Sequence, residues 1–527
     1  MAGSGQSHDI AAQDDAHLRS LGIKPELQRT LGFLSNFAVA FSYISVATGT
    51  FTLIALGLGV GGPAFFWSWP IIILGQTFVA LNFAELASHF PVAGSIYQWS
   101  KRLANRTLGW FTGWFYFWAG VVTVTAVAGT VPLVLSSILG IDLKAQSPLP
   151  FFNNLVFYAL ITLVITTLIN GIGARVLATI NNIGVGAEIL GMLVFALILL
   201  LFFRVQDLSV LTQTAGIETP ETGGYLPVFA VAMFMSLFVV YGFDTAGTFG
   251  EETLDASRQA PRGILSAIWL SGLVGAIFLL AIILATPDMT AALTDPSPIS
   301  TAIKSALGDT FGTIYLMVIL IAVFVCTLAI QGATVRLMFS MGRDRRMPLG
   351  SLWGSVHPTF KTPTNAALAV GILAALPFFL TDSPGLIATG ATGLIYLSYF
   401  MANLGVLVAR LRGWPHGQAW FKLGGWGLVI NILALVWGGL MIINFALWSD
   451  PALFGDFGSD LRDFTNPSLT GITSGGNAIT WLPDIPFFEG TVLLILIVGI
   501  VYYVVAARGR EDVEQLPDVA TGEATIG

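Results

Sequence analysis

The run "ILGMLVFALILLLFF", residues 189–203, has no charged, hydroxyl or amide side chain, and similar apolar runs recur along most of the chain. A backbone that enters hydrocarbon must satisfy its own N–H and C=O groups, which leaves helices or a closed barrel. The runs are long enough to cross as helices and lack the two-residue alternation of a barrel strand. Composition agrees, with 55% hydrophobic and only 10% charged residues and a mean hydropathy of +0.80, well outside the soluble globular class. The fold class is therefore an all-α integral membrane protein.

Twelve candidate spans follow, at 31–60, 62–88, 107–139, 150–172, 178–203, 225–250, 262–286, 308–340, 363–381, 384–410, 424–448 and 487–507. Residues 1–30 are polar with no apolar core of a signal peptide, so the mature chain is expected to begin near Met1 as a cytoplasmic tail. The acidic stretch after Arg510 reads as a disordered C-terminal tail within 508–527. Lysine and arginine gather in alternate loops, for example Lys101, Arg102 and Arg106, then Arg258 and Arg262, then Arg343, Arg345 and Arg346. By the positive-inside rule those loops and both termini are cytoplasmic, as expected for a multi-pass plasma-membrane protein. The formal net charge of −7 comes mostly from acids in outer loops and the tail, and gives no sign of a nucleic-acid partner. Cys326 stands alone in an apolar span, which precludes an intrachain disulfide and reads as a small core residue.

Two spans carry poor helix formers at depth. The first contains about 30 residues, about 45 Å as an ideal helix against about 30 Å of hydrocarbon, and it places Ser45, Thr48, Gly49 and Thr50 mid-run. The sixth contains "LPVFAVAMFMSLFVVYGFDTAGTFGEET", with Gly242, Asp244 and Thr245 inside an apolar stretch. Gly49 lies 18 residues after Leu31 and Gly242 lies 16 after Leu226, so the depths match while the helices run in opposite directions. That pairing, five spans apart, suggests two inverted five-helix repeats at 31–203 and 225–410. Two further helices at 424–507 would follow, with an outer loop at 449–486. A broken helix exposes free amides at one half and free carbonyls at the other, a fit for a zwitterion. Close packing through glycine is the alternative at each position.

The residues at these breaks, with "AELASHFPVAGSIYQWSKRL", "FGEETLDASRQAPRGI", "GRDRRMP" and "HPTFKTPTNA", resemble the amino acid/polyamine/organocation superfamily of secondary transporters. More loosely they resemble its bacterial amino acid and choline branch. The resemblance implies a substrate held at the midplane between broken helices 1 and 6. It implies that "ATGTF" presents amides of Thr48, Gly49 and Thr50 to a substrate carboxylate. It further implies that carbonyls near Ser45, Phe238 and Tyr241 meet the amine beside the Gly242 break, with the Phe238 ring as a lid or as ordinary packing. Ala47 stands where the family often has glycine, which bears on how widely the break opens.

Acids at membrane depth are functional candidates. Glu188 lies about 15 Å into the fifth span and reads either as a proton carrier or as a structural group hydrogen-bonded to a neighbouring helix. Asp244 reads as a coupling-ion ligand or as a helix cap. Glu251 and Glu252 are expected to pair with Arg258 and Arg262 in an inner gate, Glu85 and Arg336 to be paired or snorkelling, and Thr327 and Gln331 to bond between helices. The five histidines have no metal-ligand spacing, and no phosphate-cradling loop is present. The expectation is a permease without catalytic residues, metal or cofactor. It would move an amino acid or related amine such as γ-aminobutyrate with a proton, less readily with Na⁺. The alternatives are a carrier of cationic amines without a carboxylate, an amino acid exchanger, or a membrane-embedded sensor or enzyme. Oligomeric state is not legible.

Overall fold

The computed structural model describes residues 2–216, 218, 224–416, 419–447, 473–474, 477–478 and 485–510. Most of the expected outer loop 449–486 and all of the acidic tail beyond 510 lie outside the described residues. The described chain is helical apart from a two-residue hairpin pairing Thr473–Ser474 with Asn477–Ala478. Ten helices among the described residues are long and apolar enough to cross a membrane, and Tyr225–Val239 and Thr364–Phe379 are shorter apolar helices. Each expected span overlaps one of these twelve.

In chain order the helices are α1 (Ala2–Ser20), α2 (Phe33–Ile44), α3 (Val46–Gly61), α4 (Ser68–His89), α5 (Ser95–Leu103), α6 (Arg106–Leu139), α7 (Asn154–Ile172) and α8 (Ala174–Phe202). They continue with α9 (Tyr225–Ala232), α10 (Phe234–Val239), α11 (Thr245–Thr248), α12 (Ala256–Ala285), α13 (Met289–Thr294), α14 (Pro298–Arg343) and α15 (Gly350–Trp353). The last are α16 (Thr364–Ala375), α17 (Pro384–Leu411), α18 (Gly427–Leu447) and α19 (Phe487–Tyr502).

The broken helices sit inside. α6 packs against α14 and α17, α3 against α10, and α2 against α8, α12 and α14. Outer faces stay apolar and exposed, as at Val164 and Leu168 of α7 and Leu190 and Val194 of α8, which is how a helix meets lipid tails. Two of the expected spans change shape. The eighth begins earlier, at Pro298, because a separate arm precedes a bend at Gly308, whose φ of 73° and ψ of 170° interrupt the helix. The ninth ends in a tighter turn over Leu376–Phe379, where Pro377 cannot continue the α-helical ladder.

Two elements were not anticipated. Within the expected N-terminal tail, α1 forms, and Leu18, Leu21 and Ile23 bury themselves against Val92. α5 replaces what reads as a loop, and all nine of its residues are buried, Lys101 and Arg102 included. The segment before α2 is stitched to the one after α11: Thr30 and Leu31 amides donate to the Glu252 carbonyl and the Leu254 amide to the Leu31 carbonyl. Arg29 adds a 3.0 Å bond to Asp15 and a 2.8 Å bond to the Thr253 carbonyl.

Candidate functional site

The first break is one residue long. Ser45 adopts φ 27° and ψ 91° between α2 and α3, a left-handed setting that a non-glycine residue adopts only when its surroundings hold it there. Its amide still donates to the Phe41 carbonyl at 2.9 Å. Its hydroxyl caps α3 by accepting from the Thr48 amide at 3.3 Å, and lies 2.7 Å from the Thr48 hydroxyl. Glu188, on α8, completes the arrangement: its Oε1 accepts from the Ser45 hydroxyl at 2.8 Å and from the Ala47 amide at 3.3 Å. The carboxylate therefore sits at the positive end of α3, where backbone amides and the helix dipole favour an anion.

This geometry corrects the expected amide set. Gly49 is inside α3, its amide donating to the Ser45 carbonyl at 3.1 Å, and Thr50 is helical with its hydroxyl returned to the Val46 carbonyl. The amides at the start of α3 belong to Ala47 and Thr48, and protein groups already engage them. Gly49 serves packing instead, since a Cβ there would overlap Val239 of α10.

The second break is wider. α10 ends at Val239 and α11 starts at Thr245, with Gly242 at φ 88° between them. A Cβ on Gly242 would overlap the Tyr43 ring, so space and backbone conformation both require glycine. The Gly242 amide donates to the Tyr399 hydroxyl at 2.8 Å, and the Val240 carbonyl accepts from Gln76 at 3.0 Å. Asp244 stands at the N-cap position of α11 but its side chain makes no cap bond. Its carboxylate instead accepts from the hydroxyls of Tyr399 at 2.5 Å, Tyr116 at 2.6 Å and Ser95 at 3.1 Å. The capping reading is thereby overturned, because three hydroxyls from α5, α6 and α17 turn the carboxylate away from the helix end.

Between the breaks lies a cavity of about 10 Å³, room for about one water molecule. Tyr43, Thr48, Gly49, Thr123, Phe238 and Tyr241 line it. Phe238 meets Tyr241 edge-on at 5.9 Å, and Tyr43 meets Tyr241 likewise at 6.1 Å. Of the residues singled out in the sequence, Thr48, Gly49, Phe238 and Tyr241 line the cavity directly. Ser45 and Glu188 stand behind the Thr48 wall. Gly242 and Asp244 stand behind Tyr241, and Thr50 points its hydroxyl back into α3. The hydroxyl donors Tyr116, Tyr399 and Ser95 escaped the sequence reading, since nothing local marks a tyrosine on one helix as the partner of a carboxylate on another. Cys326 also lines the cavity, its thiol directed to the Tyr43 carbonyl at 3.6 Å. Gln331 donates to the Thr167 hydroxyl at 2.6 Å, an interhelical bond, whereas Thr327 bonds within its own helix.

A layer of ion pairs closes one end of the bundle, with partners other than those expected. Arg336 grips both oxygens of Glu252 at 3.0 to 3.1 Å and stacks on Phe249 at 4.0 Å. Arg343 grips Glu251, and Glu85 pairs with Arg410. Arg258 and Arg262 lie over the Trp420 and Phe33 rings instead. The C-terminal end of α14 reaches beneath α11 and delivers its own arginines there, which sequence proximity does not reveal. Lys101 pairs with Asp344 at 2.5 Å, and the Tyr97 hydroxyl adds a 2.6 Å bond. Burial opposes the charged form of Asp344, yet Lys101 and Tyr97 outweigh it and hold the carboxyl below the usual carboxylate range.

The family model described as amino acid permease matches residues 31–458. Among curated proteins, the chain is similar to the amino-acid permease BAT1 of Arabidopsis thaliana, 29% identical over 467 residues, covering 82% of this chain and 87% of that protein. The BAT1 homolog of Oryza sativa subsp. japonica is 28% identical over 459 residues, with the same coverage of 82% and 87%. The thiamine transporter thi9 of Schizosaccharomyces pombe is 25% identical over 415 residues, covering 70% of this chain and 69% of that protein. With paired helix breaks around one buried cavity and a family match spanning most of its length, the chain belongs to the amino acid permease family of membrane transporters.

Proposed function

We propose that this permease carries small amine-bearing solutes, amino acids or relatives such as γ-aminobutyrate, across the plasma membrane by proton-coupled alternating access. The observation that carries the reading is the pair of breaks, at Ser45 and at Val240–Asp244, on opposite sides of one cavity. The ten long and two short apolar helices support twelve crossings, with 31–203 and 225–410 as inverted repeats, 424–507 as the added pair and both termini cytoplasmic. Thr48, Gly49, Phe238 and Tyr241 line the substrate region, with Ser45 and Gly242 at the breaks behind them. Glu188 and Asp244 serve coupling, with H⁺ favoured over Na⁺ at Glu188 because its Ala47 amide neighbour can donate to a carboxylate but cannot ligate a cation. At about 10 Å³ the cavity is too small for any amino acid, so loading requires the broken helices to part, consistent with alternating access.

A second reading, a cationic amine without a carboxylate, is favoured by the two buried carboxylates flanking the cavity and by the similarity to a thiamine transporter. Uptake of a substrate panel into proteoliposomes, with and without an inward proton gradient, tests both. Uptake of ethanolamine or putrescine with no zwitterion would remove the carboxylate-binding role of the α3 start. Glu188→Gln should abolish gradient-driven accumulation while leaving counterflow exchange, and unchanged accumulation takes Glu188 out of coupling.

A further inference from the structure

We infer that Glu188 and the carboxylate of a zwitterionic substrate compete for one seat, the Ser45 hydroxyl and the first amides of α3, so that a proton on Glu188 vacates it. The inference rests on the proposed transport of amino acids and supplies its coupling step. The seat is small: it consists of the Ser45 hydroxyl, the Ala47 amide and the Thr48 amide, all engaged through Glu188 Oε1 or the Ser45 cap. Thr48 is both a cavity wall and a hydrogen-bond neighbour of Ser45, so the seat adjoins the space where substrate would lie. Two carboxylates cannot share such donors, because like charges in contact at low dielectric repel strongly. A protonated Glu188 loses its charge-assisted grip and gives the donors up to the incoming anion.

The surroundings leave the proton, rather than a nearby cation, to neutralise Glu188. Among the described residues no ion pair forms to it, and its own helix packs on α2, α7, α12 and α14. From α14 the titratable groups facing it are Tyr315 and Cys326. The neighbouring helices contribute Tyr43 from α2, Tyr158 from α7, and Arg258 and Arg262 at one end of α12. Those two arginines are engaged with Trp420 and Phe33. The proton enters from the side that loads substrate and leaves on the other, when the departing substrate frees the donors and Glu188 ionises to refill the seat. An amine without a carboxylate leaves Glu188 in place and needs no proton.

The test compares alanine, arginine and γ-aminobutyrate with their decarboxylated counterparts ethylamine, agmatine and propylamine. Calorimetric titration of the full-length purified protein, in two buffers of different ionisation heat, counts protons taken up on binding. At pH values where Glu188 is ionised, zwitterions should bind with uptake of about one proton each and lose about tenfold in affinity per pH unit, while the amines take up none. Glu188→Gln should bind zwitterions with no uptake and a flat pH profile. Glu188→Asp, one methylene short of the seat, should do the same while keeping a buried carboxylate. Zwitterion binding by the unmodified protein without proton uptake and with a flat profile from acid to alkaline pH overturns the inference, as does uptake that survives in both variants or binding of amines alone. Flux of panel zwitterions with a proton count of zero across that pH range sinks this inference only; absence of flux for every panel compound sinks the substrate reading beneath it as well.

Discussion

The two helix breaks perform the same topological task with opposite chemistry. At Ser45 the interruption is a single residue, and the exposed amides of α3 receive a carboxylate from a neighbouring helix. At Val240–Asp244 it is five residues long, and a carboxylate belonging to the break receives hydroxyls from three other helices. One break is closed by an anion brought in, the other by donors brought in. Buried polar groups must be partnered, and the difference shows that a gap in a membrane helix can be sealed from either side of the hydrogen bond.

The largest expected effect comes from filling the wider break. Gly242→Ala adds a Cβ that overlaps Tyr43 and must hold φ 88°, a combined cost of roughly 2–5 kcal/mol. Purified variant should show a markedly lower unfolding temperature and transport below a tenth of the parent rate. A variant as stable and active as the parent would mean the wide break is not structurally fixed. Next, Asp244→Asn keeps the shape but removes the charge that three hydroxyls address. Hydrogen bonds to charged groups contribute about 1.5–3 kcal/mol, so initial uptake of the best-transported panel compound should fall about ten- to a hundredfold. Equal rates would make the hydroxyl cage mere packing. The smallest effect is Ser45→Ala, which deletes both the cap of α3 and the hydroxyl donor to Glu188, together about 1–2 kcal/mol, and leaves the Ala47 amide on Glu188. A loss of activity as large as that of Asp244→Asn would erase the proposed asymmetry between the breaks.

Long apolar runs made the helical membrane fold legible, because satisfaction of the backbone in hydrocarbon leaves few choices. The breaks were legible in part. Gly242 was correctly marked by its glycine beside a buried acid. Gly49 was read as a break and turned out to let α3 approach Val239 of α10, since tertiary packing overrides weak helix propensity. The break itself falls at Ser45, a good N-cap residue that the sequence places among the mid-run poor helix formers but on the carbonyl side of a break at Thr48–Thr50. Glu188 was found from its cost in the bilayer, but its partner was not, because the pairing spans 143 residues. The ion-pair layer was misassigned for the same reason. α5 was missed because its apolar and basic residues, at Lys101 and Arg102, imitate a cytoplasmic loop until Asp344 is placed beside them.

The backbone stitch between Leu31 and Leu254 carries a mechanical consequence. It fastens the chain just before the first broken helix to the chain just after the second, through main-chain hydrogen bonds. At that end the two interrupted helices are tied together by one short parallel bridge. Arg29 and Asn36 reinforce it with side-chain bonds to the Thr253 carbonyl and hydroxyl, but its main-chain bonds survive substitution of either.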